Sequence, residues 1–446
     1  MKNFIGADRE QCILMPYDVM DWLPENHLAR FIVEIIDNLN FSLIYNKYRG
    51  TGSAAYDPRL LLGLLFYGYS TGVFSSRKIE TATYDSVAFR FIAGNHHPDH
   101  DTIATFRKRF LPEIKLWFKE ILLIGRELGF VKIGNIYIDG TKVQANASKH
   151  RSMSYEYMKR LEQQLGEEID KLLDLAENQD EKENNIDLDI PEEIKRRQGR
   201  LEKIKKAKEV VEARAAERYE QEKKEYDAKM KEREDQQEKT GKKPRGRTPK
   251  EPIKEPMDKD QYNFTDPQSR IMKTPDGFDQ CFNAQAAVTD DMIIVGAYSN
   301  AHANDKQEFI PTIDSIPTEL GEISVAVADT GYFSEDNISK SQDREVTPII
   351  STAREKHNTY LERFFNDETY DDATTATQRM NKVLSSEEGR NTYKKRKQTV
   401  EPVFGIIKEI LGFRRFSLRG EFETDCEWSL VCTAYNLKRF FKMSMA

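Results

Sequence analysis

Three acidic residues stand where carboxylates can do chemistry. Asp139 ends a short β-rich run, Gly134-Asn-Ile-Tyr-Ile-Asp139-Gly140, and the pattern predicts that it closes one strand, with Lys142-Val-Gln-Ala-Asn beginning a second. Asp329 closes an apolar run, Val325-Ala-Val-Ala-Asp329, and Glu401 lies on a helix expected over residues 394–411. Strand ends in open sheets are where sites collect. Three carboxylates gathered there would offer hard oxygen ligands to Mg²⁺, which keeps some waters and takes further ligands from a substrate phosphate. Two such ions about 4 Å apart can activate a water or a 3′-hydroxyl and stabilise the leaving oxygen. Phosphoryl transfer asks mainly for this positioning and charge neutralisation. Without the ions, the carboxylates would repel and raise one another's pKa. Each acid alone says little, since Asp-Gly after a strand is commonly a turn.

The elements that must position these acids can be read from the apolar spacing. Residues 1–130 read as helical: Asp57-Pro58 opens a helix through Leu60, Leu61, Leu64 and Leu65, Ser75-Ser76 caps a short one, and Asp99 caps another that carries Arg107, Lys108 and Arg109. Strands are expected over Cys281–Val288 and Met292–Ser299, joined at Asp290-Asp291, then over Ile323–Ala328 and Val346–Ile350. Helices are expected at Asp305–Ile313, Ser334–Ser341 and Trp428–Phe441, with a loose segment over roughly 352–386. Between about 153 and 238 apolar residues recur at helical spacing in a narrow stripe (Leu161, Leu165, Ile169, Leu172; then Leu201, Ile204, Val211), as in a long antiparallel hairpin or coiled coil turning near Asn178 to Pro191. The division is thus 1–130 helical, 131–152 the first part of an α/β core, 153–260 a charged insertion with a basic linker, and 261–446 the rest of the core with a C-terminal tail.

Composition bounds the partners. The chain has 446 residues and a net charge of −7, from 68 basic and 75 acidic residues. The stretch Tyr155–Glu238 holds 26 acids and 19 bases, so it carries the whole deficit and leaves the remainder neutral, with room for basic patches facing nucleic acid. The longest apolar run, Leu60–Tyr69, is too short to cross a bilayer. Charged residues at Lys2, Asp8, Arg9 and Glu10 do not fit a secretory signal. Cys12, Cys281, Cys426 and Cys432 form no CxxC pair and no disulfide framework. A soluble, reduced, intracellular protein is expected.

Other clusters have plainer readings. Lys242-Lys-Pro-Arg245-Gly-Arg247-Thr-Pro-Lys250 resembles an AT-hook, whose Arg-Gly-Arg core enters the narrow minor groove of A·T tracts. A solvated basic linker is the competing reading. His96-His-Pro-Asp99-His100-Asp101 has metal-ligand residue types but reads better as a turn with a helix cap. His302 and Asn304 lie at a strand-to-helix turn, where they would neighbour the acids.

Taken together, several blocks resemble bacterial insertion-sequence transposases of the DDE type. They are Ile138-Asp139-Gly-Thr-Lys142, Ala328-Asp329-Thr-Gly-Tyr332-Phe333 and Val400-Glu401-Pro-Val-Phe-Gly405-Ile-Ile-Lys408. The stretch from Asp266-Pro-Gln-Ser-Arg270 to Asn283-Ala-Gln-Ala-Ala287, the region Tyr56 to Arg107, and the tail Arg414–Gly420 with Ala434–Arg439 extend the likeness over nearly all the chain outside the charged insertion. The resemblance implies a ribonuclease-H-like mixed sheet core with an N-terminal helical DNA-binding domain. It also implies Asp139, Asp329 and Glu401 as catalytic residues holding two Mg²⁺ ions, with Mn²⁺ as a substitute. Binding of double-stranded DNA, a homodimeric synapse and a nucleoid-associated cytoplasmic protein follow from it. Many relatives show Tyr-x2-Arg-x3-Glu-x6-Lys around the last acid. Lys408 fits that pattern here, whereas Tyr393 and Arg396 sit one residue early and Lys397 takes the Arg place. Lys142, Lys397, Lys408, Arg396 and Tyr393 are therefore the expected DNA contacts near the acids, with Arg107, Arg109, Arg245 and Arg247 further off.

Overall fold

The computed structural model describes residues 18–48, 54–179, 190–240, 248–352 and 375–445. The chain divides into two compact units, one made of Met1–Asn146 with Cys281–Ala446, the other of Ala147–Gln280. The described strands are β1 (Asn135–Gln144), β2 (Ser152–Ser154), β3 (Gln261–Asn263), β4 (Arg270–Thr274), β5 (Gly277–Thr289), β6 (Ile294–Asn300), β7 (Val325–Ala328) and β8 (Thr347–Ile350).

The first unit is built on the order β6–β5–β1–β7–β8. β5 and β6 run antiparallel to their neighbours, while β7 and β8 run parallel to β1. This mixed sheet, with helices between its later strands, is the ribonuclease-H-like core. The parallel strands read as continuous apolar runs because both faces are covered. Residues 326–328 on β7 and 349–350 on β8 are buried.

β1 corrects the expected turn at Asp139-Gly140. It is one ten-residue strand, paired without interruption to β5 from Ile136↔Thr289 to Gln144↔Cys281. Gly140 serves a close approach instead: a Cβ there would stand 2.4 Å from Gln285 Nε2 and 2.9 Å from Asp305 Oδ1.

The N-terminal helices belong to this same unit. The helix Pro58–Thr71 starts where Asp57 accepts the Arg59 amide at 2.8 Å and stops at Gly72, whose φ of 83° ends it in left-handed backbone. The helix His100–Arg109 begins with Asp99 accepting the Thr102 amide, also at 2.8 Å. The C-terminal helix is longer than expected, Glu421–Ser444, and packs on Pro58–Thr71, on Leu111–Glu127 and on β6. Its Asn436 pairs with both the N–H and the C=O of Ile294, which closes the β6 edge against further strand pairing. A further helix, Ala376–Ser385, lies within the segment expected to be loose. Thr375 and Gln378 form a reciprocal capping box at its start.

In the second unit, the helices Tyr155–Gln179 and Ile190–Thr240 pack through Met158, Leu161, Leu165, Ile204, Ala207 and Val211, close to the predicted stripe. Their polar flanks pair Arg197 with Glu168 at 2.9 Å and Lys208 with Glu162 at 2.5 Å. The expected turn falls on residues 180–189, outside the described residues. β2 and β3 form a small ladder beside the helices, and Arg218 grips Asp260 with both terminal nitrogens at 3.1 and 3.0 Å.

Candidate active site

Asp139 lies on β1 just past the point where β7 stops pairing with it, since that ladder covers only Asn135 to Tyr137. Asp329 follows the last residue of β7, and its carboxylate accepts the Gly331 amide at 2.8 Å. Glu401 arrives from a late segment broken into three pieces: a 3₁₀ turn Arg396–Gln398, a short helix Val400–Gly405 and a π-turn Ile406–Ile410. One helix over 394–411 was expected. The break falls at Thr399, with φ −115° and ψ −83°.

That break changes which cation reaches the acids. Arg396 Nη1 donates to Asp139 Oδ2 at 3.1 Å, and its Nη2 donates to Glu401 Oε1 at 3.0 Å. One guanidinium thus joins two acids more than 250 residues apart in the chain. Lys397 is exposed. Lys408 is drawn back by the π-turn and donates to the Lys142 carbonyl at 2.8 Å. Tyr393 lies within electrostatic reach of Arg396.

Electrostatics tie the third acid to the first. Burial pushes the Asp139 carboxyl up to about 7; Arg396 opposes the rise, and the charges of Asp329 and Asp305 add to it. Burial alone would lower the Arg396 pKa, but Asp139, Tyr393, Asp329 and Glu401 together hold it up. Tyr332 is fully buried, and burial raises its hydroxyl pKa first, with Asp139, Asp305 and Asp329 raising it further. Among the described residues, no three His, Cys, Asp or Glu side chains stand as a ready-made metal cage. The donors at this site are nonetheless carboxylate oxygens, the set that hard divalent ions prefer, and a single guanidinium supplies the positive charge between two of them. In donor chemistry and charge, the residues fit such ions.

The other expected residues are placed as follows. Lys142 pairs with Asp305 at 3.1 Å, and strand alternation sets it on the face of β1 opposite Asp139. Arg107 is buried, donating to Tyr69 Oη at 2.8 Å and to the Phe74 carbonyl at 3.3 Å, so it is not presented to DNA. Arg109 is exposed, lies over the Tyr48 and Phe110 rings, and donates to the Lys47 carbonyl. Arg245 and Arg247 lie outside the described residues. His302 accompanies Glu308, and Asn304 caps the turn Asp305–Gln307. The residue of that turn whose charge acts on Asp139 is Asp305, which sequence reasoning missed. His100 pairs with Glu80 and His97 stacks on Tyr84, as befits a structural turn.

Two family models match the chain. The transposase domain (DUF772) covers residues 17–109, and the transposase DDE domain covers residues 247–437. The chain belongs to the insertion-sequence-type transposase family of the DDE class, with an N-terminal transposase region and a DDE region in one chain. The second match takes in Asp329 and Glu401, while Asp139 lies outside both. No curated protein and no solved structure matches it. No helix among the described residues is long and apolar enough to cross a membrane.

Proposed function

We propose that the protein binds the terminal inverted repeats of its own element, hydrolyses the phosphodiester at each end, and joins the freed 3′-hydroxyls to target DNA. The observation that carries this reading is the meeting of Asp139 and Glu401 on one guanidinium, with Asp329 close enough to act on both partners.

Asp139, Asp329 and Glu401 would hold two Mg²⁺ ions, or Mn²⁺, which when bound supply Lewis acidity at the phosphate and an activated oxygen nucleophile. The chain's own groups do the rest. The three acids come from a strand, a strand end and a helix, which limits how far their oxygens can drift. Arg396 balances Asp139 and Glu401 and, on reorienting, can meet a substrate phosphate with paired N–H groups. Lys397 and Arg109 present exposed cations to the DNA backbone, and the Arg245–Arg247 segment would add non-specific grip. Handling two ends at once calls for two copies of the chain. Such a protein would work in the cytoplasm, at the nucleoid.

The test uses purified protein, a duplex carrying the element end, target DNA and Mg²⁺. Wild type is expected to nick the end and yield joined products, while Asp139→Asn, Asp329→Asn and Glu401→Gln each lower both by about a thousandfold or more. Cleavage without joining would instead make it a nuclease, and binding without cleavage would make it a transposase-derived DNA-binding protein. Undiminished cleavage in the variants would remove the site assignment.

A further inference from the structure

Asp305 holds a position that the three-acid reading does not use. Its Oδ1 accepts three side-chain hydrogen bonds: from Lys142 Nζ at 3.1 Å, Asn283 Nδ2 at 2.6 Å and Gln285 Nε2 at 3.0 Å. The donors come from β1 and β5, at the paired positions Lys142↔Asn283 and Gly140↔Gln285. Gln285 then accepts the Tyr332 hydroxyl at 2.5 Å, so the network continues into the turn that follows Asp329. A Cβ on Gly331 would lie 2.9 Å from Asp329 Oδ1 and 3.8 Å from Asp305 Cβ, which shows how closely that turn approaches Asp305. Asn283 is fully buried, and among the described residues its Oδ1 has no hydrogen-bond partner, so its side chain is held through the bond to Asp305.

We propose that Asp305 is a positioning residue for the acid site: it clamps β1, β5 and the turn after β7 together and so fixes the spacing between Asp139 and Asp329. This inference rests on the reading of Asp139 and Asp329 as metal ligands. On this inference Asp305 stands outside the ligand set. Its Oδ1 is filled by three donors, and its charge is matched by Lys142, which a divalent ion would have to displace. The clamp acts where small displacements matter most. Mg²⁺ demands near-ideal octahedral geometry, so a shift of a few tenths of an ångström between two carboxylates weakens it more than it weakens the more tolerant Mn²⁺.

The experiment measures Mn²⁺ binding to the full-length protein by loss of the free-ion electron paramagnetic resonance signal. End cleavage is then titrated with Mg²⁺ and with Mn²⁺. For Asp305→Asn the inference expects Mn²⁺ affinity to fall about tenfold with unchanged stoichiometry, and the Mg²⁺ needed for half-maximal cleavage to rise more than the Mn²⁺ needed. Lys142→Met, which keeps the side chain's length and removes the other half of the ion pair, should shift both quantities the same way. The double variant should be no worse than the worse single one, because both act through one clamp. Loss of a bound ion in Asp305→Asn would make Asp305 a ligand and overturn the inference. Unchanged ion affinity in both variants would overturn it as well. If Asp305→Asn does not fold, the Lys142→Met result decides by the same criteria. Asp139→Asn serves as the control: if it leaves ion binding and cleavage intact, the site reading itself has failed, a separate outcome from failure of the clamp.

Discussion

At Asp139, burial acts against charge, and the result can be measured without DNA or metal. Burial pushes its folded carboxyl up to about 7, against roughly 3.9 in an unfolded chain. The folded state therefore binds more protons between those values. The stability this contributes is fully present below about pH 4 and is lost as pH rises through 7. In metal-free protein, the melting temperature of wild type minus that of Asp139→Asn should fall steadily from pH 4 to pH 8; a flat difference would refute the assignment. How legible the site was in the sequence also turns on single residues. Asp139, Asp329 and Glu401 stand out because each lies inside a recognisable block, although Asp139 falls within β1 and not at its end. Asp305 did not, because Asn304-Asp305 looks like any helix cap until β1 and β5 are laid beside it. Arg396 was one residue out of the familiar spacing, and only the break at Thr399 explains how it reaches the acids.

At the scale of elements, strand and helix types were readable while their ends and continuity were not. The apolar runs at β5, β7 and β8 and the stripe of the charged helices carry strong periodicity, and those elements are present. Gly140 misled because a glycine beside an aspartate signals a turn locally, whereas here it makes room for side chains from the neighbouring strand. The same local logic works at Gly72, where left-handed backbone ends the helix Pro58–Thr71 and a Cβ would stand 2.7 Å from the Leu411 carbonyl oxygen. Gly72→Ala adds backbone strain to a clash with main chain, and it should lower stability by about 2 kcal/mol or more. A urea midpoint within error of wild type would contradict this.

Considered whole, the first unit is tied together by a buried polar chain that no periodicity could reveal. Arg107 donates to Tyr69, Tyr69 donates to Glu427 at 3.1 Å, and Glu427 accepts the amides of Ser417 and Leu418 at 2.9 and 3.0 Å. These residues come from three helices and a loop, and Glu427 is fully buried. Arg107→Met removes the guanidinium from that network and leaves the Glu427 carboxylate without its cation, at a cost of roughly 3 kcal/mol. Adding Glu427→Gln should recover much of that loss, because the uncompensated charge goes with it. Denaturation curves in which the double variant is as unstable as the two singles combined would show that the groups act independently.

The ladder between β1 and β5 has one further consequence. Gln144 faces Cys281 across it, so the end of β1 and its partner on β5 stand one strand's width apart, about 5 Å. A change in the length of chain between Gln144 and β5 need not disturb the register that carries Asp139, so chain length and acid geometry are free to vary separately.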